Sequence, residues 1–141
     1  MHRYRTYILL RDTDATGVIY FPNQLHLALE AFEDFLRPKS FSFQKIFDSE
    51  FLMPVVHAES DYMAPLEVDD EVEVVIYLEK VGYSSFSLCF DYLNVTKNML
   101  AGTAKITHVV TSKLSKKSTA IPEELRTLLL LLTPKKECPI H

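Results

Sequence analysis

Glycine is scarce in this sequence, with three residues in 141 and no cluster of them ahead of a candidate helix. A phosphate-cradling loop needs closely spaced glycines so that backbone N–H groups can approach the ligand, so nucleotide-binding folds of that kind are disfavoured. Cysteine is scarcer still. Cys89 lies in an apolar-alternating run and Cys138 in a polar tail, a pair that makes neither a disulfide framework nor a zinc spacing and points to a reducing compartment. A basic excess is also missing, since 15 basic residues stand against 19 acidic ones for a formal charge of −4. Nucleic-acid binders normally carry the opposite balance, and no nucleic-acid partner is expected. Long apolar runs are absent too. The N-terminal stretch has no apolar core of signal-peptide length, and residues 128–132 are far too short a run to cross a bilayer. No membrane partner is therefore expected, and the cytoplasm is the default location. The closing Cys138-Pro139-Ile140-His141 superficially fits a prenylation box, but its proline and terminal histidine suit it badly and no second membrane signal accompanies it.

What is present is the composition of a globular chain, with 48% hydrophobic and 24% charged residues. A chain of this size buries roughly two-thirds of its unfolded surface on folding, enough for a core without staples. Tyr4, Thr6, Ile8 and Leu10 alternate with Arg5, Tyr7, Leu9 and Arg11, which predicts a first strand. A turn-rich segment, residues 12–17, leads to a helix expected from Pro22 to about Arg37. Leu25, Ala28, Leu29, Phe32 and Leu36 recur there at helical spacing, with Glu30, Glu33, Asp34 and Arg37 mostly opposite. Pro22 suits a first helical turn and Pro38 a stop. Phe43, Ile46 and Phe47 predict one or two further helical turns.

The period then changes to two. Val72, Val74, Ile76 and Leu78 share one face of a strand, and Phe86, Leu88, Phe90 and Tyr92 share one face of the next, with Gly82 in the turn between them. Residues 51–64 and 99–111 also read as strands. Pro122, followed by Glu123 and Glu124, opens a C-terminal helix over about 122–132. The expected architecture is α+β, a five-stranded and largely antiparallel sheet with one long helix and a terminal helix, in a single domain over residues 1–141 with its core at about 3–111.

The segment Asp12-Thr13-Asp14-Ala15-Thr16-Gly17-Val18-Ile19-Tyr20-Phe21-Pro22-Asn23 is the candidate for chemistry. Two acids flank a threonine, Gly17 permits a tight turn, and the chain runs into a helix N-terminus whose N–H groups lack intrahelical partners. Such N–H groups can polarise a carbonyl oxygen, and a carboxylate beside them can attack the carbonyl carbon or draw a proton from water. Acid-rich turns before helices are also common for purely structural reasons, because aspartate accepts backbone N–H bonds. The residues alone leave both readings open.

Resemblance separates them. The pattern Asp12-Thr13-Asp14-x-x-Gly17-Val18-Ile19-Tyr20-Phe21 resembles the signature of the 4-hydroxybenzoyl-CoA thioesterase family of hot-dog proteins, placed as in that family between the first strand and the long helix. The block from Met53 through Pro54-Val55-Val56-His57-Ala58 to Tyr62-Met63-Ala64-Pro65-Leu66 resembles the family's second strand, and Val68-Asp69-Asp70 its acidic entry into the third. The resemblance spans about residues 3–111. It implies a hot-dog fold, a sheet wrapped around one long helix, and hydrolysis of an acyl-CoA thioester. It assigns Asp14 as the catalytic carboxylate, as nucleophile or as general base. It gives the Phe21 backbone N–H the carbonyl-polarising role and makes Gly17 the turn that lets the acyl group approach. Many relatives carry histidine at the position of Phe21, a change that leaves a main-chain role in place.

The finer resemblance is to the branch acting on 1,4-dihydroxy-2-naphthoyl-CoA in phylloquinone and menaquinone synthesis. It rests on Val18-Ile19-Tyr20-Phe21 with Asn23-Gln24 and on Pro54-Val55-Val56-His57-Ala58. Tyr20, Phe21 and Tyr62 would line a pocket for a flat acyl group, with His57 and Asn23 as further substrate-binding candidates. The alternatives are a broader short- or medium-chain acyl-CoA or acyl-carrier-protein thioesterase, and a non-catalytic acyl-CoA-binding domain. Coenzyme A enters as part of the substrate, so no cofactor and no metal is implied. The family's assembly implies a homodimer or homotetramer.

The remaining candidates carry less. His26 and Glu30, four apart on the helix, lack a third metal ligand and read as a surface pair. Glu33 reads as solvated, and His108 has no assigned role. Lys80, Lys97, Lys105, Lys113, Lys116 and Lys117 are candidates for the coenzyme A phosphates. Ser84, Ser85 and Ser87 lie on a strand without a nucleophile-elbow motif, which argues against a serine hydrolase.

Overall fold

The computed structural model describes residues 2–39 and 41–135. Strand β1 (His2–Tyr7) is followed by a 3-10 turn at Leu10–Asp12, the acid-rich loop and helix α1 (Asn23–Leu36). A 3-10 turn at Arg37–Lys39 and the short helix α2 (Phe43–Phe47) come next. The strands β2 (Phe51–Leu52), β3 (Val55–Tyr62), β4 (Glu71–Val81), β5 (Ser85–Asn94), β6 (Met99–Val109) and β7 (Thr111–Ser112) precede helix α3 (Glu123–Leu129). Five strands form one antiparallel sheet in the order β1-β4-β5-β6-β3, while β2 and β7 pair separately. This is the hot-dog architecture that the resemblance implies.

The core lies between α1 and one face of the sheet. Val72, Val74 and Ile76 of β4, Phe86, Leu88, Phe90 and Tyr92 of β5, and Ala104 and Ile106 of β6 are buried there with Phe32, Phe35 and Leu36 of the helix. Fully burying one such side chain contributes roughly 1.5–3 kcal/mol, so this alternating ladder outweighs any local propensity in setting the register. The opposite face of the sheet is tied by ion pairs: Arg3 and Arg5 with Glu73, Lys105 with Glu79, and Lys135 with Asp91.

Several expectations shift. β1 ends at Tyr7, and Leu10 falls in the 3-10 turn, 78% exposed. The strand expected over 51–64 divides into β2 and β3, and the one over 99–111 into β6 and β7. Helix α3 covers Glu123–Leu129, shorter than the apolar run suggested. The buried stripe of α1 is Gln24, Leu27, Ala28, Ala31, Phe32, Phe35 and Leu36, rotated from the expected one, with Leu25 and Leu29 only half-buried. Cys89 is buried; Cys138 and the rest of the terminal tetrapeptide lie outside the described residues. Among the described residues no helix is long and apolar enough to cross a membrane.

Candidate active site

The loop between β1 and α1 is a closed hairpin. At its base, Tyr20 N–H donates to the Asp12 carbonyl (2.8 Å), and the Asn23 side-chain amide donates to that same oxygen (2.9 Å). Higher up, Thr13 bridges to Ile19 and Asp14 N–H donates to the Val18 carbonyl (3.0 Å). The tip is the turn Asp14-Ala15-Thr16-Gly17, closed by Gly17 N–H donating to the Asp14 carbonyl (3.0 Å). Gly17 adopts φ +79°, a left-handed conformation that glycine enters without the steric penalty of a side chain. An added Cβ there would meet nothing within 4 Å, so the demand for glycine is conformational rather than spatial.

The turn holds Asp14 exposed with one carboxylate oxygen engaged. Oδ1 accepts the Thr16 hydroxyl (2.5 Å) and the Thr16 N–H (2.8 Å). Those two donors, the hydroxyl first, hold the Asp14 carboxyl below the usual carboxylate range and keep it ionised. Oδ2 accepts from no other described residue. At the hairpin's base, the Phe21 N–H likewise donates to no acceptor among the described residues. Pro22, at the helix N-cap position, carries no N–H of its own, so the start of α1 presents the Phe21 donor undiluted.

The hairpin rests on a second acidic turn. Ile19 N–H donates to Leu66 O (2.7 Å), Val68 N–H to Gly17 O (3.2 Å), and Val18 bridges to Glu67. This supporting turn is organised by Asp70, which is buried. Its Oδ2 accepts Glu67 N–H (2.9 Å) and the Asn94 amide (2.9 Å) and sits 3.2 Å from Lys97 Nζ. Burial pushes the Asp70 carboxyl up, yet these three donors together outweigh it and hold the group below the usual range.

Beside the hairpin lies a cavity of about 240 Å³ lined by Val18, Ile19, Gln24, Tyr62, Met63, Ala64 and Pro65. Tyr62 reaches from β3 to donate its hydroxyl to the Phe21 carbonyl (2.6 Å), tying the edge of the sheet to the start of α1. Tyr20 is half-exposed and packs edge-on against Phe21, with ring centroids 5.3 Å apart. Asn23 therefore spends its amide on the loop, whereas Tyr62 is the one substrate-binding candidate that lines the cavity. His57 is exposed on β3, 3.4 Å from Glu59, and does not line the cavity. Of the lysines, Lys97 pairs with Glu67 and Asp70, Lys105 with Glu79, and Lys113 donates to the Phe47 carbonyl; Lys80, Lys116 and Lys117 are exposed.

Two residues emerge here that the sequence left without a role. Gln24 is 1% exposed, and it carries the only polar side chain in the buried stripe of α1. Its position three and four residues ahead of Leu27 and Ala28 was the available signal. His108 is buried against Phe86 (centroids 5.0 Å) and donates Nδ1–H to the Met53 carbonyl (3.0 Å). Burial pushes its pKa down, and its Nε2 is buried with no hydrogen-bond partner among the described residues.

A sequence profile of the thioesterase-like superfamily matches residues 8–129. The chain belongs to this superfamily. A 1,4-dihydroxy-2-naphthoyl-CoA hydrolase of Rippkaea orientalis is 32% identical over 127 residues, covering 89% of this chain and 92% of that protein. The crystal structure of a 1,4-dihydroxy-2-naphthoyl-CoA thioesterase from Synechocystis superposes with a TM-score of 0.86 at 27% identity, covering 92% of this chain and 95% of the other. A gentisyl-coenzyme A thioesterase superposes with a TM-score of 0.80 over 90% of this chain and 98% of the other; at 23% identity it speaks to the fold alone.

Proposed function

We propose that this chain hydrolyses the thioester of an aromatic acyl-CoA, with 1,4-dihydroxy-2-naphthoyl-CoA as the favoured substrate. The observation that carries this reading is the hairpin itself. It holds an ionised carboxylate with one oxygen unengaged, and an unspent N–H at the start of a fourteen-residue helix, in a chain about 30% identical to hydrolases of that thioester.

In this mechanism the thioester carbonyl lies against the Phe21 N–H, which stabilises the negative charge that develops on oxygen. The unengaged Asp14 oxygen then acts by one of two routes. As a nucleophile it forms a mixed anhydride and expels coenzyme A as its thiolate, and water hydrolyses the anhydride. As a base it takes a proton from water while that water adds to the carbonyl carbon. Both routes consume one water and yield the free acid and the thiol of coenzyme A. Tyr62, by holding the Phe21 carbonyl, fixes the peptide on the far side of Phe21 from the donor and so positions the helix start.

The assembly belongs to the same proposal. β3 pairs with β6 along one edge only, and Val55, Val56 and Tyr62 on it are exposed. An unpaired apolar edge is normally covered, and a second copy of this chain would cover it as a homodimer or homotetramer. The reading is tested by following free-thiol release from 1,4-dihydroxy-2-naphthoyl-CoA, benzoyl-CoA and straight-chain acyl-CoAs. Preference for the naphthoyl ester supports it. Preference for straight chains would move the chain to a broader thioesterase, and binding without thiol release would make it an acyl-CoA-binding protein.

A further inference from the structure

The polar stripe residue Gln24 has a chemistry that the mechanism above does not use. Its side-chain Nε2 donates to Ser60 Oγ (2.9 Å) and to the Asp61 carbonyl (3.1 Å). Ser60 Oγ gives its own hydrogen to the Thr103 carbonyl (3.4 Å), so both partners of Nε2 are acceptors and the orientation of the amide is determined. Both amide hydrogens are spent. Oε1 is left as the side chain's one uncommitted polar atom, and it accepts from no described residue although Gln24 lines the cavity beside the hairpin.

The surroundings lock this arrangement. Tyr92, itself fully buried, donates its hydroxyl to the Gln24 backbone carbonyl (2.5 Å). Gly102 makes room for the amide, since an added Cβ at that position would come within 2.7 Å of Gln24 Nε2 and would also strike the Asp61 carbonyl. The other cavity side chains are apolar, apart from Tyr62, whose hydrogen already goes to the Phe21 carbonyl. An amide oxygen in such a place accepts hydrogen bonds and donates none. An acyl group without a donor would strip water from it and leave it unpaired.

We propose that Gln24 is a specificity-determining residue, its Oε1 accepting a hydrogen bond from a hydroxyl on the acyl group. The inference rests on the reading of the chain as an aromatic acyl-CoA thioesterase and adds the feature by which it would select its substrate. Sites built around a hydrogen bond to substrate discriminate strongly against analogues that lack the partner, whereas apolar pockets tolerate such changes.

The test compares 1,4-dihydroxy-2-naphthoyl-CoA with 2-naphthoyl-CoA on the wild-type protein and on Gln24→Met. Because ring hydroxyls also alter the thioester's intrinsic reactivity, the informative quantity is the change between proteins in the ratio of kcat/KM for the two substrates. The ratio is expected to fall by about 10–100-fold in Gln24→Met, the loss of one hydrogen bond to a buried partner. A merely structural role for Gln24 would slow both substrates alike and leave the ratio unchanged, which would overturn the inference. Inhibition of the wild-type enzyme by the free acids needs no variant. The dihydroxy acid is expected to bind about tenfold more tightly than 2-naphthoate, and equal inhibition would overturn the inference even if the variant failed to fold. Thiol release from neither ester by the wild type would instead overturn the thioesterase reading, and this inference with it.

Discussion

Asp14 and Asp70 are both turn aspartates, and both carboxyls are held below the usual range, yet they are built in opposite ways. Asp14 is exposed, and its donors come from Thr16, two residues away in the same turn. Asp70 is buried, and its donors come from its own turn and from Asn94 and Lys97 on and beyond another strand. A lowered pKa alone therefore does not mark a functional acid. The distinguishing feature is where the donors come from: a group wired across the fold holds the fold, and a group wired only to its own turn is left accessible for chemistry. The two turns are nevertheless coupled, because the Asp70 turn carries the backbone bonds that support Gly17 and Ile19.

This contrast can be broken at graded strength. Apart from the loss of Asp14 itself, the largest effect is expected from Asp70→Ala. It leaves the Glu67 N–H and the buried Asn94 amide without their acceptor and should lower unfolding stability by about 3 kcal/mol, read as a denaturant midpoint. The pH dependence follows the same logic. A carboxyl with a lowered folded-state pKa stabilises the protein above its ordinary range, and that contribution is lost as pH falls through the lowered value. The wild-type advantage over Asp70→Ala should therefore shrink in acid, and an advantage that is unchanged there would contradict the assignment.

Gly17→Ala comes next. It is expected to cost about 1–2 kcal/mol by forcing alanine to φ +79°, with a fall in turnover because the tip of the hairpin carries Asp14. A thermal melt and a rate assay together measure it. The smallest effect is expected from Thr16→Val, which removes the hydroxyl donor to Asp14 and lets its pKa rise toward the ordinary value. The proposed mechanism uses the ionised carboxylate, so the acid limb of the pH–rate profile should move to higher pH while the neutral-pH rate stays near wild type. A limb that does not move would mean that Asp14 does not set it.

Much of the fold was legible because its elements carry strong periodicity. The alternations at Val72–Val74–Ile76 and Phe86–Leu88–Phe90 correspond to β4 and β5, and the loop of Asp14 falls between the first strand and the long helix as expected. The face of α1 was read less well. Counting only apolar residues selected Leu25 and Leu29, while the stripe that packs on the sheet begins with Gln24, a polar residue whose hydrogen-bond partners lie 36 and 37 residues away. No local pattern reveals such partners. His108 was opaque for the same reason, its carbonyl partner Met53 lying 55 residues back. The lysines illustrate a further limit: sequence shows a positive charge, and only the fold shows that Lys97 and Lys105 are already committed to acids.

The account stands most directly on one measurement, thiol release from 1,4-dihydroxy-2-naphthoyl-CoA by Asp14→Asn beside the wild-type enzyme, with a thermal melt of each. It predicts a fall in kcat of about 10²–10⁴-fold at a nearly unchanged melting temperature, since Asp14 is exposed and its side chain bonds only Thr16 in its own turn. A folded Asp14→Asn protein that turns over at the wild-type rate would contradict it.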